Sequence, residues 1–222
     1  MPTGLTVPTG LTVPAPLTVP APGGVTGYRV AAYDTPLWVS PNRTTGRYNG
    51  PGAPPTQYLC GHPAGPWAEL LRFHDERDPK ALSTLRTRLW AVRVPEPILE
   101  VTFDNATTFG VTPADLVDDD WTACQALAAT TYADPGLPNT LCVPSAALAG
   151  TVNYIIFGQR VTVPFGAPPL DIEDLPTAHA AEDARALHTM LSLVCFRGQT
   201  HAGYATWSTG DTLAPLTVPV PR

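Results

Sequence analysis

The sequence has few positively charged residues, and this limits the classes of binding partner that we expect. Only 13 residues are lysine or arginine against 19 aspartates and glutamates, and Lys80 is the only lysine. Nucleic-acid binding depends on clustered cations that displace counterions from phosphates, whereas the arginines here are scattered. We therefore expect no direct nucleic-acid partner, although a local group of arginines could still hold a small anionic ligand.

Long apolar runs and paired cysteines are also missing. No stretch reaches about eighteen apolar residues, so no membrane span is predicted, and no basic segment precedes an apolar one near the N-terminus, so no secretory signal is expected. Cys60, Cys124, Cys142 and Cys195 lie far apart without a CxxC pair. We interpret them as reduced, mostly buried thiols of a cytoplasmic protein, and we expect no metal site.

Proline is abundant at both ends of the chain. The tetrapeptide LTVP begins at Leu5, Leu11 and Leu17 and returns at Leu216. Because proline lacks a backbone donor, these segments suit polyproline II or a sheet edge. We interpret residues 1–24 and 214–222 as proline-rich tails that carry no chemistry, and self-association into a homo-oligomer or docking on a partner stays open for them.

The region between the tails has the pattern of an α+β fold. Strand-like runs are predicted over 25–33, near 58–60, over 85–103 with a break at Pro95 and Pro97, and over 139–148 and 153–165. Helices are predicted from Pro66 and over 177–196, and one or two helices are predicted over 112–134, with Thr112 as N-cap and Pro113 in the first position. Strands mostly follow one another, so a doubly wound βαβ sheet is not favoured.

Four polar features stand out in apolar or turn-rich surroundings. They are Arg29 in GYRVA, Arg47 in TTGRYNGPG, Glu69 in PWAELLR and Ser145 in LCVPSAA. Each has an ordinary structural explanation by itself. An acid placed in the first turn of a helix, as predicted for Glu69, is favoured by the helix dipole, and a serine after proline is a common turn residue. The glycines Gly46, Gly50 and Gly52 form turns or let backbone approach a ligand.

The order of these features resembles the RES domain family. The matching motifs are YR, GRYN, YLC, AEL and VPSA followed by NYIIF, and they span roughly residues 28–163. The family is named for an arginine, a glutamate and a serine, and it includes toxins encoded beside Xre-type antitoxins in bacteria. This sequence has Tyr48 where the family often has tryptophan, and it has an extended C-terminal segment.

The resemblance implies a fold, an activity and a set of site residues. The fold is that of ADP-ribosyltransferases, with mostly antiparallel strands in a catalytic domain over 25–165. The resemblance does not cover the segment 166–213, which we interpret from its pattern as a helical extension. The activity is consumption of NAD⁺. In this chain Arg29 and Arg47 would hold the pyrophosphate and ribose, Tyr58 would stack near the nicotinamide, Glu69 would be catalytic, Ser145 would contact the nicotinamide ribose, and Tyr48 and Asn153 would be further pocket residues.

The chemistry independently calls for residues of these types. Nicotinamide leaves NAD⁺ as a neutral molecule, so the paired carboxylates of common glycosidases are unnecessary. One carboxylate in a dehydrated pocket stabilises the positive charge that develops on the ribose. Arginines suit the pyrophosphate because their donors are planar and directed, and an aromatic face suits the flat pyridinium.

The leading hypothesis is a cytoplasmic RES-type toxin that cleaves the nicotinamide–ribose bond and transfers ADP-ribose to phosphate or water. NAD⁺ would be the substrate and phosphate a co-substrate, with no bound cofactor and with an Xre-type antitoxin as partner. One alternative is a protein mono-ADP-ribosyltransferase with the same pocket. Two others are a non-catalytic proline-rich scaffold protein and a metalloprotein that uses the scattered cysteines and histidines.

Overall fold

The computed structural model describes residues 25–31, 45–94, 97–158, 178–186, 188–214 and 216. Residues 1–24, 32–44, 159–177 and 217–222 lie outside these ranges. The prediction of a proline-rich N-terminal tail therefore concerns residues outside the described ones, as do most of the predicted C-terminal tail and the end of the strand predicted over 153–165.

One mixed sheet organises the described residues. Its strands are β1 (Thr26–Val30), β2 (Thr56–Cys60), β3 (Arg86–Arg93), β4 (Leu99–Glu100), β5 (Thr140–Pro144), β6 (Val152–Phe157) and β7 (Ala178–Arg185). Their order across the sheet is β4-β5-β6-β2-β1-β3-β7. Neighbouring strands pair antiparallel except β4 and β5, which are parallel. The predicted α+β class with mostly antiparallel strands is confirmed.

Short helices accompany the sheet. They are α1 (Gly65–His74), α2 (Pro79–Thr84), α3 (Thr122–Ala133) and α4 (Ala202–Thr209), with 3-10 helices at Ala106–Phe109 and His188–Ser192. The break predicted at the prolines after β3 is confirmed, because β3 ends at Arg93 and β4 begins at Leu99.

The side chains of β6 alternate between two cores. Ile155 and Phe157 pack in the cluster that contains α3, whereas Tyr154 and Ile156 pack in a cluster with residues of β2 and β3. This alternation follows from the two-residue period of a strand. It makes β6 a central strand with apolar contacts on both faces, and its register fixes the residues at its start.

Helix α1 packs on a third cluster and carries the residue of greatest chemical interest. Its Trp67 and Leu71 are buried with Leu148 and Met190, and Leu216, which opens the last LTVP unit, is partly buried against the same cluster. The C-terminal repeat therefore begins in contact with the domain.

The start of α1 depends on a close approach to β2. A Cβ on Gly65 would lie 2.5 Å from Cβ of Cys60, so glycine is required where the helix meets the strand. The prediction that Pro66 lies at the helix start is confirmed. The prediction that Glu69 lies in the first turn is wrong, because Glu69 is the fifth residue of α1 and the first turn holds no acid. Attraction to the helix dipole does not explain its position.

The helix predicted to begin at Thr112 starts ten residues later. Thr112 and Asp115 do bond reciprocally, with the Thr112 N–H donating to Asp115 Oδ2 at 2.7 Å and the Asp115 N–H donating to Thr112 Oγ1 at 3.3 Å. These bonds close a turn, and α3 begins only at Thr122. The motif resembles a helix cap, but three consecutive aspartates, 118–120, follow it, and aspartate favours turns.

The helix predicted over 177–196 is also wrong. Residues 178–185 form β7, which pairs antiparallel along β3, and a 3-10 helix follows at His188–Ser192. The alanine-rich composition favours a helix locally, but a strand here satisfies the backbone groups along the outer side of β3. The contribution of that pairing outweighs intrinsic propensity. The helix that does occur in this region, α4, was not predicted.

No helix within the described ranges is long and apolar enough to cross a membrane. Cys60, Cys124 and Cys195 are buried, Cys142 is partly buried, and all four are free thiols. The prediction that most of the cysteines are buried is confirmed.

A methyl group on Gly27 should destabilise the sheet. The added Cβ would lie 2.6 Å from Cβ of Leu59 and 3.1 Å from Cγ2 of Val94, so β1 would have to move away from the core. We expect Gly27→Ala to lower the free energy of unfolding by about 1–3 kcal/mol, measured by urea denaturation. Gly136→Ala, in an exposed turn, is the control, and equal stability of the two variants would contradict this packing.

Candidate active site

A cleft of about 520 Å³ lies between α1, strands β1 and β2, and the segment 45–49. Five of the residues singled out from the sequence line it: Arg29, Arg47, Tyr58, Glu69 and Asn153. Residues from 28 to 153 in the chain therefore meet in one place, because β1, β2 and β6 are close neighbours in the sheet and α1 follows β2.

The carboxylate of Glu69 is held by two neutral donors. Its Oε1 accepts a hydrogen bond from Nδ2 of Asn153 at 2.6 Å and another from Oγ of Ser145 at 3.1 Å. Within the described part of the chain, no hydrogen bond to Oε2 is found. The side chain is half-buried and lines the cleft. The arrangement orients one carboxylate without pairing it to a cation.

Ser145 acts on Glu69 from below the surface of the cleft. It is 1% exposed, and its Oγ also accepts the backbone N–H groups of Ala147 at 3.3 Å and Leu148 at 3.2 Å. These bonds place the serine in the turn after β5. The expectation that Ser145 contacts the ribose therefore needs correction, because the structure places it against Glu69, out of direct contact with the cleft.

A buried histidine supports the Ser145 turn from behind. Nε2 of His201 lies 2.7 Å from the carbonyl oxygen of Ser145, and Nδ1 accepts the N–H of Tyr204 at 3.3 Å. Because Nδ1 accepts, the proton of the neutral ring lies on Nε2 and is donated to Ser145. Burial lowers the pKa of His201 to about 4, so the ring is neutral at pH 7. His201 caps α4, and no sequence motif indicated it.

Tyr58 fixes the loop that carries Arg47. Its hydroxyl donates to Oδ1 of Asn49 at 2.6 Å and accepts the N–H of Tyr48 at 2.9 Å. Burial raises the pKa of Tyr58, so the group stays a phenol. A Cβ on Gly46 would lie 2.6 Å from Oδ1 of Asn49, so glycine permits this tight turn. The other glycines of the loop do not line the cleft.

Tyr48 does not belong to the cleft. Its side chain is 2% exposed and packs in the core with Cys124 and Phe157. Neighbouring residues of a turn point in different directions, so Arg47 faces the cleft while Tyr48 faces inward. The expectation that Tyr48 contacts a ligand is therefore corrected.

The two candidate arginines lie on different walls. Arg29 comes from β1, and Arg47 from the loop, where its Nη1 donates to the carbonyl oxygen of Asp115 at 3.3 Å. The thiol of Cys60 also lines the cleft, and burial raises its pKa. Among the described residues, no cluster of histidine, cysteine, aspartate and glutamate is arranged to hold a metal ion.

Residues that the sequence patterns did not indicate also line the cleft, among them Arg72, Phe73, Trp121 and Arg197. Phe73 carried a detectable signal, because it follows Glu69 by four residues and such residues share a helix face. Trp121 and Arg197 lie far from the motifs in sequence, and only the tertiary fold brings them to the site.

Buried histidines should make stability fall in acid. Burial lowers the pKa of His62 and of His201 to about 4, against about 6.5 in an unfolded chain. Between these pH values the histidines bind protons in the unfolded state but not in the folded state. The free energy of unfolding is therefore highest above about pH 6.5 and falls as the pH drops to about 4. Each pKa unit corresponds to about 1.4 kcal/mol.

Urea denaturation across this pH window measures the effect. We expect His62→Asn, which keeps an acceptor near the Ala64 N–H, to flatten the slope. A slope in His62→Asn equal to that of the wild-type protein would contradict the assignment.

The chain resembles known proteins in sequence and in fold. No model of a known protein family matches the chain. The chain is 34% identical over 122 residues to a Mycobacterium tuberculosis protein described as a probable NAD(+) phosphorylase, a match that covers 54% of this chain and 56% of that protein. The chain thus spans little more than half the length of this curated relative.

The fold also resembles that of a solved structure. It matches a chain in the crystal structure of the Mycobacterium tuberculosis MbcT–MbcA toxin–antitoxin complex with a TM-score of 0.50 and 17% identity, over 77% of this chain and 88% of that chain. At this identity the likeness concerns the fold. Together, the two comparisons confirm the resemblance to RES domain proteins that the ordered motifs indicated.

Proposed function

We propose that the chain degrades NAD⁺ by cleaving the bond between nicotinamide and ribose and transferring ADP-ribose to phosphate or water. The observation that carries this proposal is the Glu69 carboxylate, held through Oε1 by Ser145 and Asn153 in a cleft that Arg29 and Arg47 also line. NAD⁺ is the substrate in this proposal, and no resident cofactor is required.

The proposed reaction needs one negative charge and no acid. The bond between C1 of the ribose and the pyridinium nitrogen breaks with both electrons moving to nitrogen, so nicotinamide leaves neutral and unprotonated. Positive charge develops on the ribose, and the Glu69 carboxylate stabilises it at short range in a cleft of low dielectric. An oxygen of phosphate then bonds to C1, or a water oxygen does so and releases a proton to solvent.

The hydrogen bonding of Glu69 suits this role. Ser145 and Asn153 are uncharged, so they orient the carboxylate through Oε1 without cancelling its charge. Oε2 remains available for a ribose hydroxyl. Oδ1 of Asn153 is buried and has no hydrogen-bond partner among the described residues. Asn153 therefore acts on the site through Nδ2, which donates to Glu69.

Arg29, Arg47 and Tyr58 supply binding groups for the remaining parts of NAD⁺. The two guanidinium groups lie on opposite walls of the cleft, where they can contact the doubly charged pyrophosphate. The hydroxyl of Tyr58 is already bonded to the Gly46 turn, so its ring is the part left for stacking on nicotinamide. In this proposal the hydroxyl group orders the loop, and the aromatic ring faces nicotinamide.

The relative described as a probable NAD(+) phosphorylase favours phosphate as the acceptor. The proposal places the reaction in the cytoplasm, where NAD⁺ and phosphate are abundant and where free thiols such as those of this chain stay reduced.

Replacing the carboxylate by an amide should stop the reaction. Glu69→Gln keeps the size of the side chain and an acceptor for Ser145 but removes the charge, so we expect NAD⁺ consumption to fall about 10²-fold or more. The measurement is the loss of NAD⁺ by purified protein, with and without phosphate, and identification of the product by mass spectrometry.

The matched control is Glu100→Gln, which removes an exposed carboxylate from β4 outside the cleft. Undiminished turnover in Glu69→Gln would refute the mechanism. ADP-ribose attached to a protein, with none as free ADP-ribose or its 1-phosphate, would instead identify a protein as the acceptor.

An uncontrolled enzyme of this kind would drain the NAD⁺ of its own cell, so we propose that an Xre-type antitoxin covers the cleft. The structural neighbour is a chain from a toxin–antitoxin complex. The exposed side chains of Phe73 and Arg197 at the cleft offer a surface that such a partner can contact.

Expression of the chain alone should lower cellular NAD⁺ and arrest growth, whereas expression together with its proposed Xre-type antitoxin should restore both. Glu69→Gln should be harmless alone and should still co-purify with that protein, because the substitution leaves the rim of the cleft unchanged. Growth arrest by Glu69→Gln as strong as that by the wild-type chain would contradict the toxin assignment.

A further inference from the structure

We propose that Trp121, Phe73 and Arg197 form a stacking site for the adenine base of the substrate. This inference rests on the proposed function, because it assigns the half of NAD⁺ that lies away from the broken bond. All three side chains line the same cleft as Glu69, and each presents a flat surface.

Phe73 lies one helical turn beyond Glu69 on α1. Residues four apart on a helix share a face, with their Cβ atoms separated by about 6 Å. Phe73 therefore stands next to the carboxylate on the side of the C-terminal end of α1. Its side chain is 52% exposed, so a large apolar ring at the cleft faces solvent instead of the core.

Trp121 and Arg197 already stack on each other. The guanidinium carbon of Arg197 lies 5.4 Å from the ring centroid of Trp121. Trp121 is half-buried just before α3, whereas Arg197 is exposed. Indole rings and guanidinium groups both stack on nucleic-acid bases, whatever the base. The pair thus offers one half-buried and one exposed surface to a flat heterocycle.

An ion pair between the buried Arg72 and the exposed Asp119 holds these groups in place. Nη2 of Arg72 donates to Oδ1 of Asp119 at 2.7 Å, and Oδ2 of Asp119 accepts the backbone N–H of Gly198 at 2.7 Å. Asp119 is two residues before Trp121, and Gly198 directly follows Arg197. The two segments are therefore tied to each other and to α1. A preorganised site loses little conformational entropy when its ligand binds.

Arg72 itself is a positioning residue. Besides the carboxylate of Asp119, its guanidinium bonds to the backbone carbonyls of Cys195 and Val117. These bonds use its donors, and its side chain is only 8% exposed. Arg72 therefore connects the walls of the cleft, and Arg47 and Arg29 are the arginines proposed to contact the pyrophosphate.

The order of groups in the cleft follows the order of groups in NAD⁺. Glu69 marks the ribose of nicotinamide. Arg47 bonds to the carbonyl of Asp115, at the start of the segment that leads to Trp121. A substrate with C1 at Glu69 and its pyrophosphate at Arg47 therefore extends its adenosine toward Trp121.

Two measurements test this site. The first is calorimetric titration with ADP-ribose, in which we expect Trp121→Ala to weaken binding about 10-fold and Trp121→Phe to bind nearly as the wild-type protein does. The second compares NAD⁺ with nicotinamide mononucleotide, which has the same scissile bond but lacks the adenosine half. The ratio of kcat/KM for NAD⁺ to that for the mononucleotide should fall about 10-fold in Trp121→Ala, through KM.

Trp207→Ala is the matched control, because Trp207 is an exposed tryptophan that bonds to Asp104 outside the cleft. If Trp121→Ala binds ADP-ribose with an affinity within twofold of that of the wild-type protein, the adenine site is overturned. If the same variant also no longer binds the antitoxin, the surface is assigned to that partner. The proposed function fails separately, if Glu69→Gln turns over NAD⁺ or if the wild-type protein binds neither nucleotide. If wild-type protein does not cleave the mononucleotide, the titration decides.

Discussion

The hydrogen bonds that converge on Oε1 of Glu69 hold the site together. They join α1 to the turn after β5 through Ser145 and to β6 through Asn153. Each partner is fixed in turn, Ser145 by His201 and two backbone N–H groups, and Asn153 by the register of a strand packed on both faces. A shift of any of these elements would change the direction in which the carboxylate points.

The neutrality of those donors matters as much as their geometry. A carboxylate that is paired with an arginine in a cleft would be stable, but the arginine would already neutralise most of its charge. Hydroxyl and amide donors offset part of the cost of desolvation and leave the carboxylate its full charge, which the proposed mechanism requires. The arginine nearest in sequence, Arg72, is kept from Glu69 by its bond to Asp119.

The sequence predicted the cleft better than it predicted the elements around it. Short motifs on neighbouring strands, on α1 and in the segment 45–49 contain Arg29, Arg47, Tyr58, Glu69 and Asn153, so local pattern and family resemblance locate them together. Tyr48 shares a motif with Arg47 and was misplaced because a motif does not show which way a turn residue points. The strand β7 and the late start of α3 depend on pairing and packing with distant residues, which local propensity does not contain. His201 and Trp121 gave no signal for the same reason.

The position of Cys60 has a consequence for chemical attack on the cleft. Cys60 is one of the residues that line the cleft, and burial raises the pKa of its thiol. Oxidants and alkylating agents react with the thiolate, which is scarce at neutral pH in such a setting. Peroxide and maleimide-type reagents should therefore react slowly with Cys60, and an inhibitor aimed at the cleft would bind by shape and charge instead of by a covalent bond to sulfur.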